Sequence, residues 1–146
     1  MATMLPESYE NACCRPAVGP PPQLILAGVP ESVGAARAYA CEFVAYHLPD
    51  IGTESADNVQ LIVSELVTNA VRYGTEPGDS LLLTLTAMAA SVRVEVRDPV
   101  RRRPCLRGAS NERDRGRGLF IVEALAERWG VTDQPFGKAV WADVAR

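Results

Sequence analysis

The chain has 146 residues, 47% of them hydrophobic, so a single domain with a sizeable core is within its reach. Its net charge of -3 comes from 15 basic and 18 acidic residues, which gives no electrostatic footprint for direct nucleic-acid binding or an anionic membrane. No apolar run approaches the roughly 18 residues of a membrane-spanning helix, and no basic stretch followed by an apolar core marks a signal peptide, so a cytoplasmic location is expected.

Residues 1–22 carry Pro6, Pro16, Pro20, Pro21 and Pro22 without apolar periodicity. They read as a flexible lead-in to one domain over 23–146. Gln23–Ala27 is a short apolar run closed by Gly28 and Pro30, which predicts a strand. From Glu31 to His47, Val33, Ala36, Ala40, Phe43 and Val44 recur at helical spacing, with Ser32 as a candidate N-cap. Cys13, Cys14, Cys41 and Cys105 form no Cys-x-x-Cys pair, and His47 is the sole histidine. The cysteines read as free thiols, without metal-ligand spacing.

The stretch Asn58–Gly74 predicts a second helix, with Ser55 as its candidate cap and Gly74 as a left-handed C-terminal stop. Val59, Ile62, Val63, Leu66, Val67, Ala70 and Tyr73 form its apolar arc. One flank of that arc is polar: Asn58, Glu65, Asn69 and Arg72. A carboxylate and a carboxamide four residues apart then share the edge of a buried face. Groups placed there need partners, because an unsatisfied buried polar group costs about 1–3 kcal/mol. A pairing of Glu65 with Arg72 would supply one; a ligand rich in oxygens, with a metal ion, would supply another.

Ser80–Ala87 and Ser91–Asp98 read as two antiparallel strands. Val92, Val94 and Val96 alternate with Arg93, Glu95 and Arg97, so one face is buried and the other wet. Pro99–Arg117 has no apolar period and contains seven arginines, which suggests a functional lid or a disordered insert. Gly118 opens a predicted helix over Leu119–Trp129, stopped by Gly130. Val131–Asp133 and Ala139–Val144 are the last expected strands. Strand pairs without crossover helices predict an α+β fold: a two-layer sandwich with a mixed, mostly antiparallel sheet and helices on one face.

Three segments carry chemistry. Glu65 and Asn69 lie on the second helix. Asp98 ends a strand and could accept a hydrogen bond from the amine of a base. Gly116-Arg117-Gly118 opens a helix, where close backbone approach and the helix dipole favour an anion. In this order and spacing the segments resemble the Bergerat-fold ATPases, the superfamily of gyrase B, the histidine kinases and MutL. Ser64-Glu65-Leu66-Val67-Thr68-Asn69-Ala70 looks like its N box. Asp98 looks like the aspartate of its first glycine box, and Gly116-Arg117-Gly118-Leu119 looks like its second. Within the superfamily, "SELVTNAVRYG", "GRGLFIVEALAERWG" and "GKAVWADV" are similar to the short actinobacterial anti-sigma-factor serine/threonine kinases.

That resemblance implies ATP and Mg²⁺ as cofactors. Asn69 would hold the metal, Glu65 would be the general base, and Asp98 would receive the adenine amine. Arg115, Gly116, Arg117 and Gly118 would wrap the phosphates, with Arg72 and Leu119 completing the nucleotide site. Implied partners are an anti-anti-sigma protein of the STAS type, a sigma factor, and a second copy of the chain. The chain departs from the family pattern twice. Asp98-Pro99-Val100-Arg101-Arg102 lacks the glycines of the first box, and Ala139 stands where a threonine often helps hold adenine. Both departures bear on nucleotide affinity. They leave open a second function, an anti-sigma-like module that sequesters a partner without catalysis. His47 reads as a favourable helix C-terminal residue rather than a phosphoacceptor.

Overall fold

Alternation along the strands decides which face of the sheet is buried. In the computed structural model, which describes residues 19–99 and 113–146 with side chains from Leu119 onward in the second stretch, five strands and three helices form in this order. They are β1 (Gln23–Ala27), α1 (Ser32–His47), α2 (Thr53–Tyr73), β2 (Ser80–Ala87), β3 (Ser91–Asp98), α3 (Arg113–Leu125), β4 (Arg128–Gln134) and β5 (Gly137–Ala145). The sheet order is β1-β2-β3-β5-β4, and every pairing is antiparallel. The expected α+β layers are therefore present, with no parallel pair among the described strands.

Leu81, Leu83 and Leu85 from β2, Val92, Val94 and Val96 from β3, and Val140, Ala142 and Val144 from β5 form the inner face. The helices cover it: α2 packs on β3 and β5, and α1 on β1 and β2. The apolar arc of α2 is buried as its period predicts, at Val59, Ile62, Val63, Leu66, Val67 and Ala70. Each fully buried aliphatic side chain of this kind contributes about 1.5–3 kcal/mol against its exposed state.

Several local readings are corrected. Ser32 is inside α1 rather than capping it; its hydroxyl donates to the Ala27 carbonyl at 2.7 Å and ties the helix to β1. α2 begins at Thr53, so Ser55 is not its cap. Gly74 keeps a right-handed conformation, φ -111°, and is not a left-handed stop. Its missing side chain has another reason: a Cβ there would lie 2.5 Å from the Asp98 carboxyl carbon. α3 ends at Leu125, and Trp129 and Gly130 belong to β4. Strand pairing overrides the helical pattern, because Trp129 is registered with Ala142 and Gly130 with Trp141. A Cβ on Gly130 would meet the Trp141 indole at 2.9 Å, a glycine serving close approach within a strand.

The last residues before β1 are tied to the domain. Tyr39 donates its hydroxyl to the Pro21 carbonyl, and the Leu85 N–H donates to Pro22 O at 2.9 Å. Gly19–Pro22 therefore lie against α1 and β2. Of the Pro99–Arg117 segment, 100–112 lie outside the described residues, and 113–117 are the first turns of α3.

On the outer face, Asp143 is registered between Arg93 on β3 and Arg128 on β4. Arg93 donates twice to it, at 2.7 and 2.8 Å, and Arg128 donates at 2.7 Å. The Arg93 guanidinium also lies 4.3 Å from the Trp141 ring centre. Hydrogen bonds from Arg93, then from Arg128, hold the Asp143 carboxyl below the usual carboxylate range against the opposing effect of burial. The unfolded value is about 3.9, so this stabilisation is present above about pH 4 and lost as pH falls through the lower folded value. Asp143→Asn should flatten that acid limb of stability, read from thermal melts between about pH 5 and pH 2.

Candidate active site

Helical period and strand alternation bring the site together at one end of the sheet. Asp98 extends the inward series Val92, Val94, Val96, and Lys138 precedes the inward series Val140, Ala142, Val144 by two residues. The two are directly opposite in the β3–β5 register. The Lys138 ammonium donates to Asp98 Oδ1 at 2.7 Å, with side chains 5% and 2% exposed. α2 supplies the other wall. A cavity of about 20 Å³ is lined by Leu66, Asn69, Ala70 and Tyr73 from α2, and by Val96, Asp98, Lys138 and Val140 from the sheet. That is room for about one water.

Asn69 is the informative wall residue. Its Nδ2 is the one buried side-chain nitrogen or oxygen atom without a hydrogen-bond partner among the described residues. An orphaned amide in a wall shared with a carboxylate and an ammonium fits a polar ligand. Glu65 sits one helical turn before it, half-buried. Burial pushes the Glu65 carboxyl above its ordinary value, and the positive charge of Arg72 draws it partly back. A carboxylate with a raised pKa suits proton transfer. Among the described residues no cluster of three histidine, cysteine or acidic groups could cage a metal. Asn69 would then offer its Oδ1 as the single protein oxygen to a cation such as Mg²⁺, which typically keeps waters and ligand phosphates as its other donors, and its unpartnered Nδ2 would donate to a phosphate oxygen. On that basis the residues fit the implied group.

The structure therefore unites Asn69 and Asp98 in one cavity, with Glu65 and Arg72 on the same helix. Arg115, Gly116, Arg117 and Gly118 fall within α3, whose backbone alone is described there. The Leu119 side chain is fully buried, which leaves only its backbone for a ligand. Ala139 is on the outer-facing side of β5, registered with Arg97 and Thr132, and is not a cavity wall. His47 is also absent from the cavity; its ring packs on Phe43 at 4.5 Å, and its Nε2 is 2.9 Å from the Pro20 carbonyl oxygen. Lys138 is the residue that sequence reasoning missed. Its signal was available: it is the sole lysine, two residues ahead of an inward-facing series.

With this geometry in hand, the comparisons are direct. Residues 26–143 match the family model of the histidine kinase-like ATPase domain. The chain belongs to that family, whose fold is that of an ATP-binding regulatory domain. Among solved structures it is similar to the blue-light activated histidine kinase of Erythrobacter litoralis EL346. The TM-score is 0.51 at 25% identity, over 65% of this chain and 31% of that one. The histidine kinase domain of the same protein gives a TM-score of 0.47 at 22% identity, over 75% of this chain and 60% of that one. This chain thus spans less than two thirds of either. No curated protein matches it.

The two polar walls should behave oppositely when removed. Asn69→Ala should leave unfolding free energy within about 1 kcal/mol of wild type, because the buried Nδ2 has no hydrogen bond to lose. Lys138→Ala strands a buried carboxylate and should cost about 3–5 kcal/mol. Urea denaturation of both variants checks this, and a large loss in Asn69→Ala would make Asn69 a structural residue.

Proposed function

We propose that this domain binds Mg²⁺-ATP and acts as an anti-sigma-factor serine/threonine kinase on an anti-anti-sigma partner. The observation that carries the proposal is the polar edge of α2: Glu65, raised by burial, one turn before an Asn69 amide nitrogen that lacks a partner. Bound Mg²⁺-ATP supplies the phosphoryl group and offsets its charge, so the protein's work is positioning and proton handling. Asn69 gives the amide that orients phosphate and metal. Glu65 receives the proton of the attacking serine or threonine hydroxyl. Asp98 receives the hydrogen bond of the base amine, and the resemblance gives Arg115, Gly116, Arg117 and Gly118 to the phosphates.

A second reading has its own observation. Asp98 is already held by Lys138 at 2.7 Å, which favours a module that sequesters a sigma factor and uses nucleotide weakly.

Incubation with γ-labelled ATP, Mg²⁺ and anti-anti-sigma proteins of the same genome separates the two. Asn69→Ala should abolish Mg²⁺-ATP binding, measured by calorimetry, while the fold persists. Glu65→Gln should lower phosphorylation by about 10²–10⁴-fold, the usual worth of general acid–base catalysis, with little change in nucleotide affinity. Because burial raises Glu65 above its ordinary 4.5, the wild-type rate should climb with pH through that higher value, and the Glu65→Gln rate should not. Wild-type protein that binds a sigma factor but labels no partner would select the sequestering module.

A further inference from the structure

The Asp98–Lys138 pair does more than stabilise the sheet. Asp98 is confined on three sides. Its carboxyl carbon lies 2.5 Å from where a Gly74 Cβ would be, so the end of α2 presses against it. Its backbone carbonyl oxygen lies 1.9 Å from where a Gly137 Cβ would be, and Gly137 has φ +147°. The third side is the Lys138 ammonium. The first two walls are backbone without side chains and cannot swing away. Of these three neighbours, Lys138 is the one with rotatable side-chain bonds. The adjoining cavity, about 20 Å³ between the described residues, has room for about one water.

We propose that Lys138 is an internal occupant of the base-recognition carboxylate, so that a purine nucleotide enters only after the ammonium leaves Asp98. This rests on the reading of Asp98 as the acceptor for the base amine. The register also supplies a destination. Asp133 on β4 is directly opposite Lys138 on its other side, and Asp133 is exposed. A lysine between two carboxylates stays paired when it shifts toward the outer one, which avoids the cost of an unpaired buried charge. The domain then has two states of one side chain. Nucleotide binds the open state alone, and its apparent affinity is reduced by the fraction of molecules that are open.

The test uses ADP with Mg²⁺ as the probe, titrated calorimetrically into the full chain. Lys138→Met removes the occupant and keeps most of the stem, so ADP should bind roughly tenfold tighter or more than to wild type. Asp133→Asn removes the outer acceptor at an exposed position, and ADP should bind a few-fold more weakly. In wild-type protein the ¹⁵Nζ resonance of Lys138 should move as ADP saturates, a measurement that does not depend on any variant folding. Equal or weaker ADP binding by a folded Lys138→Met, or a Lys138 resonance unmoved at saturation, overturns the proposal while leaving nucleotide binding in place. If neither wild type nor folded Lys138→Met binds ADP, the reading of Asp98 as the base acceptor fails, and the proposal falls with it.

Discussion

The antiparallel register between β3 and β5 places two charged rows on opposite faces of one sheet. Arg93 faces Asp143, and Asp98 faces Lys138. The members of each strand's pair are five residues apart, and an odd separation puts them on opposite faces. β4 extends both rows, adding Arg128 beside Asp143 outside and Asp133 beside Lys138 inside. A one-residue slip would turn Val92, Val94 and Val96 out to water and Arg93, Glu95 and Arg97 into the core. Apolar alternation and charge pairing therefore favour the same register. In the outer row the arginines reach solvent around a buried Asp143 and are braced by the Trp141 ring; in the inner row the Asp98–Lys138 pair is buried at the candidate site and Asp133 is exposed.

The inner row explains several choices around it. Asp98 lies against the C-terminal end of α2, where the helix dipole is negative and disfavours a carboxylate. Burial disfavours it further. Lys138 offsets both effects, as a buried charge needs a partner with good geometry. The glycines at 74 and 137 make the close packing feasible, one against the carboxylate and the other against the Asp98 backbone. Fold and site thus use the same carboxylate. The sheet end is stabilised by a buried ion pair that also lines the candidate cavity.

α2 presents the complementary case. Asn69 contributes no hydrogen bond through Nδ2 to the described fold, and Glu65 is raised by burial rather than stabilised by it. Groups that give the folded chain little and still sit at a buried edge are where chemistry is expected. The Asn69 amide nitrogen has no partner and the Glu65 carboxyl is raised by burial, whereas Asp98 is paired with Lys138.

Local periodicity was sufficient for most of the architecture. The apolar arc of α2, the alternation of β3, the antiparallel layers and the positions of Glu65, Asn69 and Asp98 were legible because each depends on spacing within one element. Three features were not. Trp129 and Gly130 follow a helical pattern, yet they pair with Ala142 and Trp141 on β5, since cross-strand packing outweighs local propensity. Gly74 looks like a helix stop, but its lack of a side chain answers to Asp98, 24 residues later in the chain. Lys138 stands two residues ahead of an inward-facing series, which gives its face, but only the β3–β5 register sets it against Asp98. Sequence alone determined which faces are buried and which groups are polar, because those follow from the chain's own period. Tertiary structure decided which polar group meets which, because a buried ion pair is set by register between strands 40 residues apart.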